Sequence, residues 1–169
     1  MESKLGIKVC VLVTEGNKLL LIREWSNKRN GYFWNVIKGT YDNSEESLFD
    51  CAKREAKEEA GLDIELTHFV NCIVGYGKRT QLYFGFMAKA LSGNLSLTPK
   101  EKQQQRGEDI VRIDSFSKDE IRKIRKDEFI LEIVYELVKQ WIEGRVYSLD
   151  LIIQKSFKKL SKQSKTKSN

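Results

Sequence analysis

Short apolar runs separated by polar turns dominate the first two thirds of the chain and predict β-strands. Residues 6–14 and 18–23 are rich in Val, Leu and Ile, and the turn signal Glu15-Gly16-Asn17 between them indicates a hairpin. Further strands are expected at residues 32–37, 64–75, 80–90 and 110–113. The polar segments at residues 24–31 and 91–108 are expected to be loops.

Apolar residues at helical spacing predict three helices. The first spans residues 47–60 and stops at Gly61, a typical C-terminal signal. A short helix is expected at residues 117–122, and a longer one at residues 127–143. The longer helix carries the apolar stripe Ile130, Val134, Leu137, Val138 and Trp141. Strands and helices within 169 residues indicate one α/β (α+β) domain.

Three glutamates share a face of the first helix with its apolar residues. At about 100° per residue, Glu55, Glu58 and Glu59 fall within an arc of roughly 100°. The same arc holds Leu48, Cys51 and Ala52. The lysines of this helix lie on the opposite side, so the acidic residues face inward rather than toward solvent.

Buried like charges repel each other and therefore need compensation. Arg54 lies four residues before Glu58 and can balance one carboxylate. A hard divalent cation with oxygen ligands can balance the others. The alternative is a solvated helix stabilised by Glu–Lys pairs. The chain has one histidine, so a histidine-rich zinc site is excluded, and its three cysteines have no metal-type spacing.

The segment REAKEEAGL, residues 54–62, resembles the Nudix box, in which Arg-Glu is followed by an apolar residue, Glu-Glu and Gly. Glu46 lies at the expected distance before Arg54. Gly39 lies one residue further from Glu46 than in the pattern, so we interpret the loop as carrying a one-residue insertion. The lead-in WNVIKG resembles the family's Trp-x-x-Pro-Lys-Gly, with Ile37 in place of proline.

The resemblance covers about residues 5–145 and implies a Nudix-type α/β/α sandwich with a mixed β-sheet. It also implies a hydrolase that uses Mg²⁺ or Mn²⁺ to cleave a diphosphate linkage in a nucleotide-type substrate. The implied metal ligands are Glu55, Glu58, Glu59 and the backbone carbonyl of Gly39. Arg54 resembles the arginine that orients these glutamates, and Glu46 the loop glutamate that braces them.

The general base and the substrate contacts are less closely defined by the resemblance. Family members take the base from the box or from a later loop, which leaves Glu58 and Glu108 as candidates, with Glu101 a weaker one. Candidate substrate contacts are Lys38, Arg23 and Tyr83. The Lys-Gly lead-in resembles that of members acting on dinucleoside polyphosphates, and a nucleoside triphosphate is also a candidate substrate.

The net charge of +6 comes from one end of the chain. Residues 154–169 contain six lysines and no acid, and without them 24 basic residues face 24 acidic ones. We therefore expect a domain at residues 1–153 and a flexible lysine-rich tail at residues 154–169. The tail motivates an RNA 5′-end pyrophosphohydrolase as an alternative function, and a non-catalytic nucleotide-binding Nudix module is another.

Neither a signal peptide nor a membrane span is apparent. The N-terminus MESKLGIKV lacks a long apolar core, and no apolar run approaches the roughly 20 residues that a membrane helix needs. The expected location is the cytoplasm, and a membrane partner is not expected.

Overall fold

Seven strands form one sheet in the computed structural model, which describes residues 5–42 and 45–155. They are β1 (Gly6–Glu15), β2 (Lys18–Ser26), β3 (Gly31–Asn35), β4 (Ile37–Thr40), β5 (Asp63–Gly75), β6 (Gln81–Ser92) and β7 (Ile110–Ser117). The order is β3-β2-β1-β6-β5, with β4 pairing on β1 and β7 on β2. The β1–β6 pair is parallel and the other pairs are antiparallel, so the predicted mixed sheet is confirmed.

The sheet opens between β1 and β2. These strands pair only at the hairpin end, where Thr14 lies opposite Leu19 and Glu15 opposite Lys18. Further along, β4 pairs with β1 from Lys8 to Val11, while β3 continues along β2. The two halves of the sheet therefore diverge, which leaves room for a cleft.

Helices cover both faces of the sheet. They are α1 (Leu48–Ala60), α2 (Lys100–Arg106), α3 (Lys118–Ile121) and α4 (Glu132–Glu143). Side chains alternate along β1, so Val9, Val11 and Val13 pack in the core that contains α1. Cys10 and Leu12 face the other core, which contains α4. The predicted α/β/α sandwich is thus confirmed.

Helix α1 begins and ends where its sequence predicts. The Ser47 hydroxyl accepts a hydrogen bond from Asp50 N, and the Asp50 carboxylate accepts one from Ser47 N, which together form a capping box. At the other end Gly61 has φ 71°, a left-handed conformation that favours glycine. These caps fix which turn of the helix carries each glutamate.

Two boundaries differ from the sequence prediction within the first 40 residues. Strand β2 continues to Ser26, since it pairs with β3 as far as Gly31. The predicted strand at residues 32–37 is two strands, β3 and β4, interrupted at Val36 where the pairing partner changes from β2 to β1. A single apolar run in the sequence does not reveal such a change of partner.

The predicted loop at residues 91–108 contains the helix α2. Pro99 precedes its first residue, and Gly107 follows its last with φ 70°. Proline before a helix and glycine after it are recognised helix boundaries, and the residues between them are strong helix formers. The prediction of an uninterrupted loop was therefore wrong, because the segment has no apolar stripe to reveal the helix.

Helix α4 starts at Glu132, five residues later than predicted. The Arg29 guanidinium donates hydrogen bonds to Asp127 O and Phe129 O, each at 2.6 Å. Ile130 N donates to Trp34 O at 2.8 Å, so this residue extends the β3 edge instead of joining the helix. No helix within the two described ranges is long and apolar enough to cross a bilayer.

The beginning of the predicted tail makes a contact with the domain. The Gln154 amide oxygen accepts a hydrogen bond from Leu48 N at 2.6 Å, which satisfies one free N–H at the start of α1. Residues 156–169 lie outside the described residues. The boundary between residues 153 and 154 remains a prediction that truncation can test.

We expect truncation after Lys155 to preserve the stability of the domain and, where the activity implied by the resemblance holds, the hydrolysis of small nucleotides. Truncation after Ile153 removes the Gln154 acceptor and should lower the free energy of unfolding by about 1 kcal/mol, the usual cost of a lost helix cap. Urea denaturation of the two truncated proteins measures this difference. Loss of small-nucleotide hydrolysis after truncation at Lys155 would place the domain boundary further along the chain.

Candidate active site

A polar cleft of about 510 Å³ lies where β1 and β2 diverge, between α1 and the end of α2. Seven carboxylates and four cationic side chains line it. The acids are Glu24, Asp42, Glu46, Glu55, Glu58, Glu59 and Glu108, and the cations are Lys8, Lys38, Arg54 and Arg106. The cleft therefore carries an excess of negative charge, which favours a bound cation.

Three of these carboxylates converge on one point. Glu55, Glu59 and Glu108 each offer a carboxylate oxygen, and these oxygens lie within 4.8 Å of one another. Glu55 is 5% exposed and Glu59 4%, so water screens their repulsion poorly. A set of desolvated carboxylate oxygens fits a hard divalent cation such as Mg²⁺ or Mn²⁺.

Burial and mutual repulsion raise the pKa of all three carboxyl groups. Burial is the largest cause for Glu59, whose pKa lies well above its ordinary 4.5, and Glu108 raises it further while Lys38 lowers it. Burial also raises the pKa of Glu55 and Glu108, opposed by Arg54 and Arg106 respectively. The cluster thus holds protons more tightly than free glutamates do, and a bound cation would displace them.

Arg54 links the loop before α1 to the helix. Its Nη2 and Nε donate to the two carboxylate oxygens of Glu46 at 3.0 and 3.1 Å, a bidentate pair. Its Nη1 donates to Glu55 Oε1 at 2.7 Å and to Glu58 Oε2 at 3.2 Å. The predicted orienting arginine and its bracing glutamate are therefore in contact, and Arg54 fixes the position of the Glu55 carboxylate.

Arg106 joins the two residues that the sequence offers as general base. Its Nη2 donates to Glu108 Oε2 at 2.8 Å, and its Nη1 lies 3.4 Å from Glu58 Oε2. Nη2 also donates to the Glu58 carbonyl oxygen at 3.1 Å. This arginine therefore ties the segment after α2 to helix α1 and holds Glu108 beside the box glutamates.

A buried glutamine holds the ends of the α2 segment together. Gln103 is 1% exposed, and its amide donates to Thr98 O and accepts from Ile110 N, each at 2.7 Å. The backbone carbonyl oxygen of Gln103 accepts a hydrogen bond from Glu108 N at 2.9 Å. Both polar atoms of this buried side-chain amide have hydrogen-bond partners. Gln103 therefore holds in place the segment that carries Arg106 and Glu108.

Gly39 is in contact with the acidic cluster. A β-carbon at this position would lie 1.8 Å from Glu55 Cδ, so only glycine leaves room for the carboxylate. The neighbouring Lys38 N donates to Glu59 Oε2 at 3.3 Å. The structure thus brings Gly39 rather than Thr40 to the glutamates, in agreement with an insertion later in the loop.

Two predicted substrate contacts do not line the cleft. Arg23 lies over the Trp34 ring, 5.0 Å from its centroid, in the part of the sheet that faces the α4 core. Tyr83 is buried in that core, and its hydroxyl donates to Gln81 Oε1 at 2.6 Å. Glu101 is exposed on α2 and is also not among the lining residues. Lys38 is the one predicted substrate contact that lines the cleft.

Several residues that line the cleft were not predicted from the sequence, and three of them are charged residues from separate strands and helices. Glu24 lies on β2, two residues after its buried part, and accepts a hydrogen bond from Asn35 Nδ2 at 2.6 Å. Lys8 reaches the cleft from β1 and Arg106 from α2. The charges Arg23-Glu24 directly after an apolar run were the available signal for Glu24, whereas nothing local distinguishes Lys8 or Arg106 from surface residues.

The sequence and the structure both match known proteins. The profile of the NUDIX domain family matches residues 4–137. No protein of curated function matches the sequence. A NUDIX hydrolase from Nitrosomonas europaea is 22% identical, with a TM-score of 0.76, and the match covers 92% of this chain and 100% of that one.

Other solved structures share the fold at lower similarity. A MutT NUDIX hydrolase from Burkholderia pseudomallei is 14% identical, with a TM-score of 0.64 over 81% of this chain and 98% of that chain. An ADP-ribose pyrophosphatase from Streptococcus suis is 21% identical, with a TM-score of 0.58 over 82% of this chain and 90% of that chain. Identities this low establish the common fold alone.

Proposed function

The chain belongs to the NUDIX domain family, and on that premise we propose that its cleft hydrolyses a diphosphate linkage in a nucleotide-type substrate with Mg²⁺ or Mn²⁺. The family establishes a Nudix hydrolase, a pyrophosphohydrolase. The convergence of Glu55, Glu59 and Glu108 carries the proposal for this site. Bringing three carboxylates together in a partly desolvated site costs free energy, and a bound cation would offset that cost.

We assign the residues of the cleft to separate tasks. Glu55 and Glu59 would hold the cation, together with the carbonyl of Gly39, and Glu108 lies beside them as the candidate base. A bound divalent cation neutralises diphosphate oxygens and activates the attacking water. Arg54 and Glu46 keep Glu55 in place through the bidentate pair.

Glu108 is the stronger candidate for the general base. Its carboxylate lies beside the carboxylate oxygens of Glu55 and Glu59, within reach of a water that a cation held there would activate. Burial raises the pKa of Glu108 above its ordinary value, which makes its carboxylate a better proton acceptor. The Oε2 atom of Glu58, in contrast, forms ion pairs with both Arg54 and Arg106. Glu58 is therefore better placed to hold these two arginines in position than to accept a proton.

Glu108→Gln is expected to lower kcat by about 10²–10⁴-fold, the usual contribution of a general base. Glu58→Gln should lower kcat by less than about tenfold, since the substitution weakens the ion pairs with Arg54 and Arg106 but leaves the base in place. Steady-state kinetics and Mn²⁺ titration of both variants give the comparison. The reverse order of effects would assign the base to Glu58. A rate loss in Glu108→Gln that excess Mn²⁺ restores would make Glu108 a metal ligand only.

A substrate panel tests the proposed activity. It should contain diadenosine polyphosphates, nucleoside triphosphates, ADP-ribose and a 5′-triphosphorylated RNA, each with Mg²⁺ and with Mn²⁺. We expect release of a phosphate product from at least one small nucleotide, with a dinucleoside polyphosphate or a nucleoside triphosphate as the best substrate. Metal binding without turnover of any compound would favour a nucleotide-binding module instead.

The lysine-rich sequence favours RNA as a second candidate substrate. Six lysines in residues 154–169 could neutralise backbone phosphates, in which case binding falls steeply with salt, with a slope of roughly −0.7 per phosphate contact for single strands. The protein truncated after Lys155 and the full-length protein should be compared on triphosphorylated RNA across a salt series. A salt-sensitive loss on RNA alone would favour this second function.

A further inference from the structure

Two lysines lie on neighbouring strands at the edge of the acidic cluster. In the β1–β4 pairing Lys8 lies opposite Thr40, and Lys38 lies opposite Cys10. Lys8 and Lys38 are thus diagonal neighbours on one face of the ladder, where side chains of this length reach each other. Both line the same cleft as Glu55 and Glu59, and Gly39 lies between them along β4.

The four cationic side chains of the cleft differ in the acidic groups that lie near them. Arg54 and Arg106 each form ion pairs with glutamates. For Lys38 burial lowers the pKa, but Glu24, Cys10 and Glu59 outweigh burial and leave it raised. For Lys8 burial and the charge of Lys38 lower the pKa more than Glu55, Cys10 and Asp42 raise it.

Lys8 forms no ion pair with a described residue. Its Nζ donates to the Thr40 hydroxyl, which is neutral. Within residues 5–42 and 45–155, no carboxylate lies within ion-pair distance of the Lys8 ammonium. A partly buried ammonium that lines a cleft and forms no ion pair is a ready partner for an anionic ligand.

We propose that Lys8, Thr40 and Lys38 form a phosphate subsite that binds a substrate phosphate beyond the diphosphate linkage cleaved at the glutamate cluster. The inference rests on the proposed function and narrows it to substrates with a chain of three or more phosphates. The Lys8 ammonium donates to a phosphate oxygen, and the Thr40 hydroxyl adds a second donor. A diphosphate with uncharged sugars on both sides would leave Lys8 without its anion.

The subsite predicts a specific kinetic effect. Lys8→Met keeps the length of the side chain and removes its charge, and should raise KM for a nucleoside triphosphate by roughly ten- to a hundredfold, the range for one charge-assisted hydrogen bond. The effect on kcat should be below about threefold, because the cluster and the base are untouched. KM for a nucleoside diphosphate should change little. Lys8→Arg should restore most of the lost affinity.

Lys89→Met is the matched control, since Lys89 is an exposed lysine on β6 outside the cleft. Its kinetic constants should equal those of the wild type. Thermal unfolding and Mn²⁺ titration of Lys8→Met verify that the fold and the metal site are intact. An unchanged KM for the triphosphate in Lys8→Met, or an equal rise for the diphosphate and triphosphate, would overturn the subsite.

A binding measurement separates this inference from the proposed hydrolysis. Calorimetric titration with inorganic triphosphate in saturating Mg²⁺ requires no turnover. We expect the wild type and Lys89→Met to bind it equally and Lys8→Met to bind it at least about tenfold more weakly. If no nucleotide is hydrolysed and this difference persists, the subsite holds and the hydrolase assignment fails. Equal binding by all three proteins would refute the subsite whatever the hydrolase does.

Discussion

Glu59→Gln is expected to lower turnover by at least about a hundredfold while the protein still folds. The substitution preserves the size of the side chain and removes a buried charge that would hold the cation. Loss of one such electrostatic contact in an active site typically lowers kcat by about 10²–10³-fold. Steady-state kinetics at low and at saturating Mg²⁺ measure it. Glu65→Gln, on an exposed position of β5, is the matched control and should keep wild-type rates. Near-wild-type turnover of Glu59→Gln at low Mg²⁺ would contradict the metal assignment.

The same substitution should stabilise the metal-free protein at neutral pH. Because burial and Glu108 raise the pKa of Glu59 in the folded state, protonation of Glu59 favours folding. That contribution is complete below the ordinary value of 4.5 and is lost as pH rises through the raised pKa. The wild type should therefore lose stability relative to Glu59→Gln over this rise in pH.

Thermal unfolding in the presence of a chelator measures this difference. The wild type and Glu59→Gln should unfold at nearly the same temperature in acid, and the variant at the higher temperature near neutral pH. Adding Mn²⁺ at neutral pH should raise the unfolding temperature of the wild type much more than that of the variant, because a ligand stabilises only the state that binds it. A pH-independent difference would mean that Glu59 is already ionised in the metal-free fold.

Gly39→Ala is expected to weaken the metal site from outside the set of side-chain ligands. The new β-carbon would lie 1.8 Å from Glu55 Cδ and 1.9 Å from Glu55 Oε1, so the carboxylate must move. Displacing it should weaken Mn²⁺ binding by about 10–100-fold, the cost of disturbing residues that orient metal ligands, and should lower activity in parallel. Calorimetric Mn²⁺ titration and kinetics measure both effects.

Gly77→Ala is the control for adding a methyl group to a glycine. Nothing lies within 4 Å of its β-carbon position, so this substitution should leave metal binding and rates unchanged. Gly39→Ala should still fold, since the clash is with the end of a side chain that can rotate away. Wild-type Mn²⁺ affinity in Gly39→Ala would show that Glu55 does not need its observed position.

The sequence predicts the parts of the site that local patterns encode. Helix periodicity places Glu55 and Glu59 on the apolar face of α1, and both are buried. The caps at Ser47 and Gly61 are likewise written in the local sequence. The box pattern adds Arg54, whose contacts depend on spacings within about two helical turns.

The parts of the site that depend on distant strands escape prediction. Lys8 enters the cleft only because β4 pairs with β1, and Glu24 only because β1 and β2 diverge. Arg23 was predicted as a substrate contact, but side chains alternate along β2 and its neighbour Glu24 lines the cleft instead. A shift of one residue along the strand thus decides which charged side chain lines the cleft.

The dependence of hydrolysis on free Mn²⁺ is the most direct test of a metal-dependent hydrolase at the glutamate cluster. Initial rates should be measured on the best nucleotide of the panel while free Mn²⁺ is raised from a chelated baseline. We expect no hydrolysis above the uncatalysed rate at the baseline, and a saturable rise whose midpoint equals the dissociation constant from Mn²⁺ titration. Hydrolysis that persists at the same rate under chelation would contradict the account.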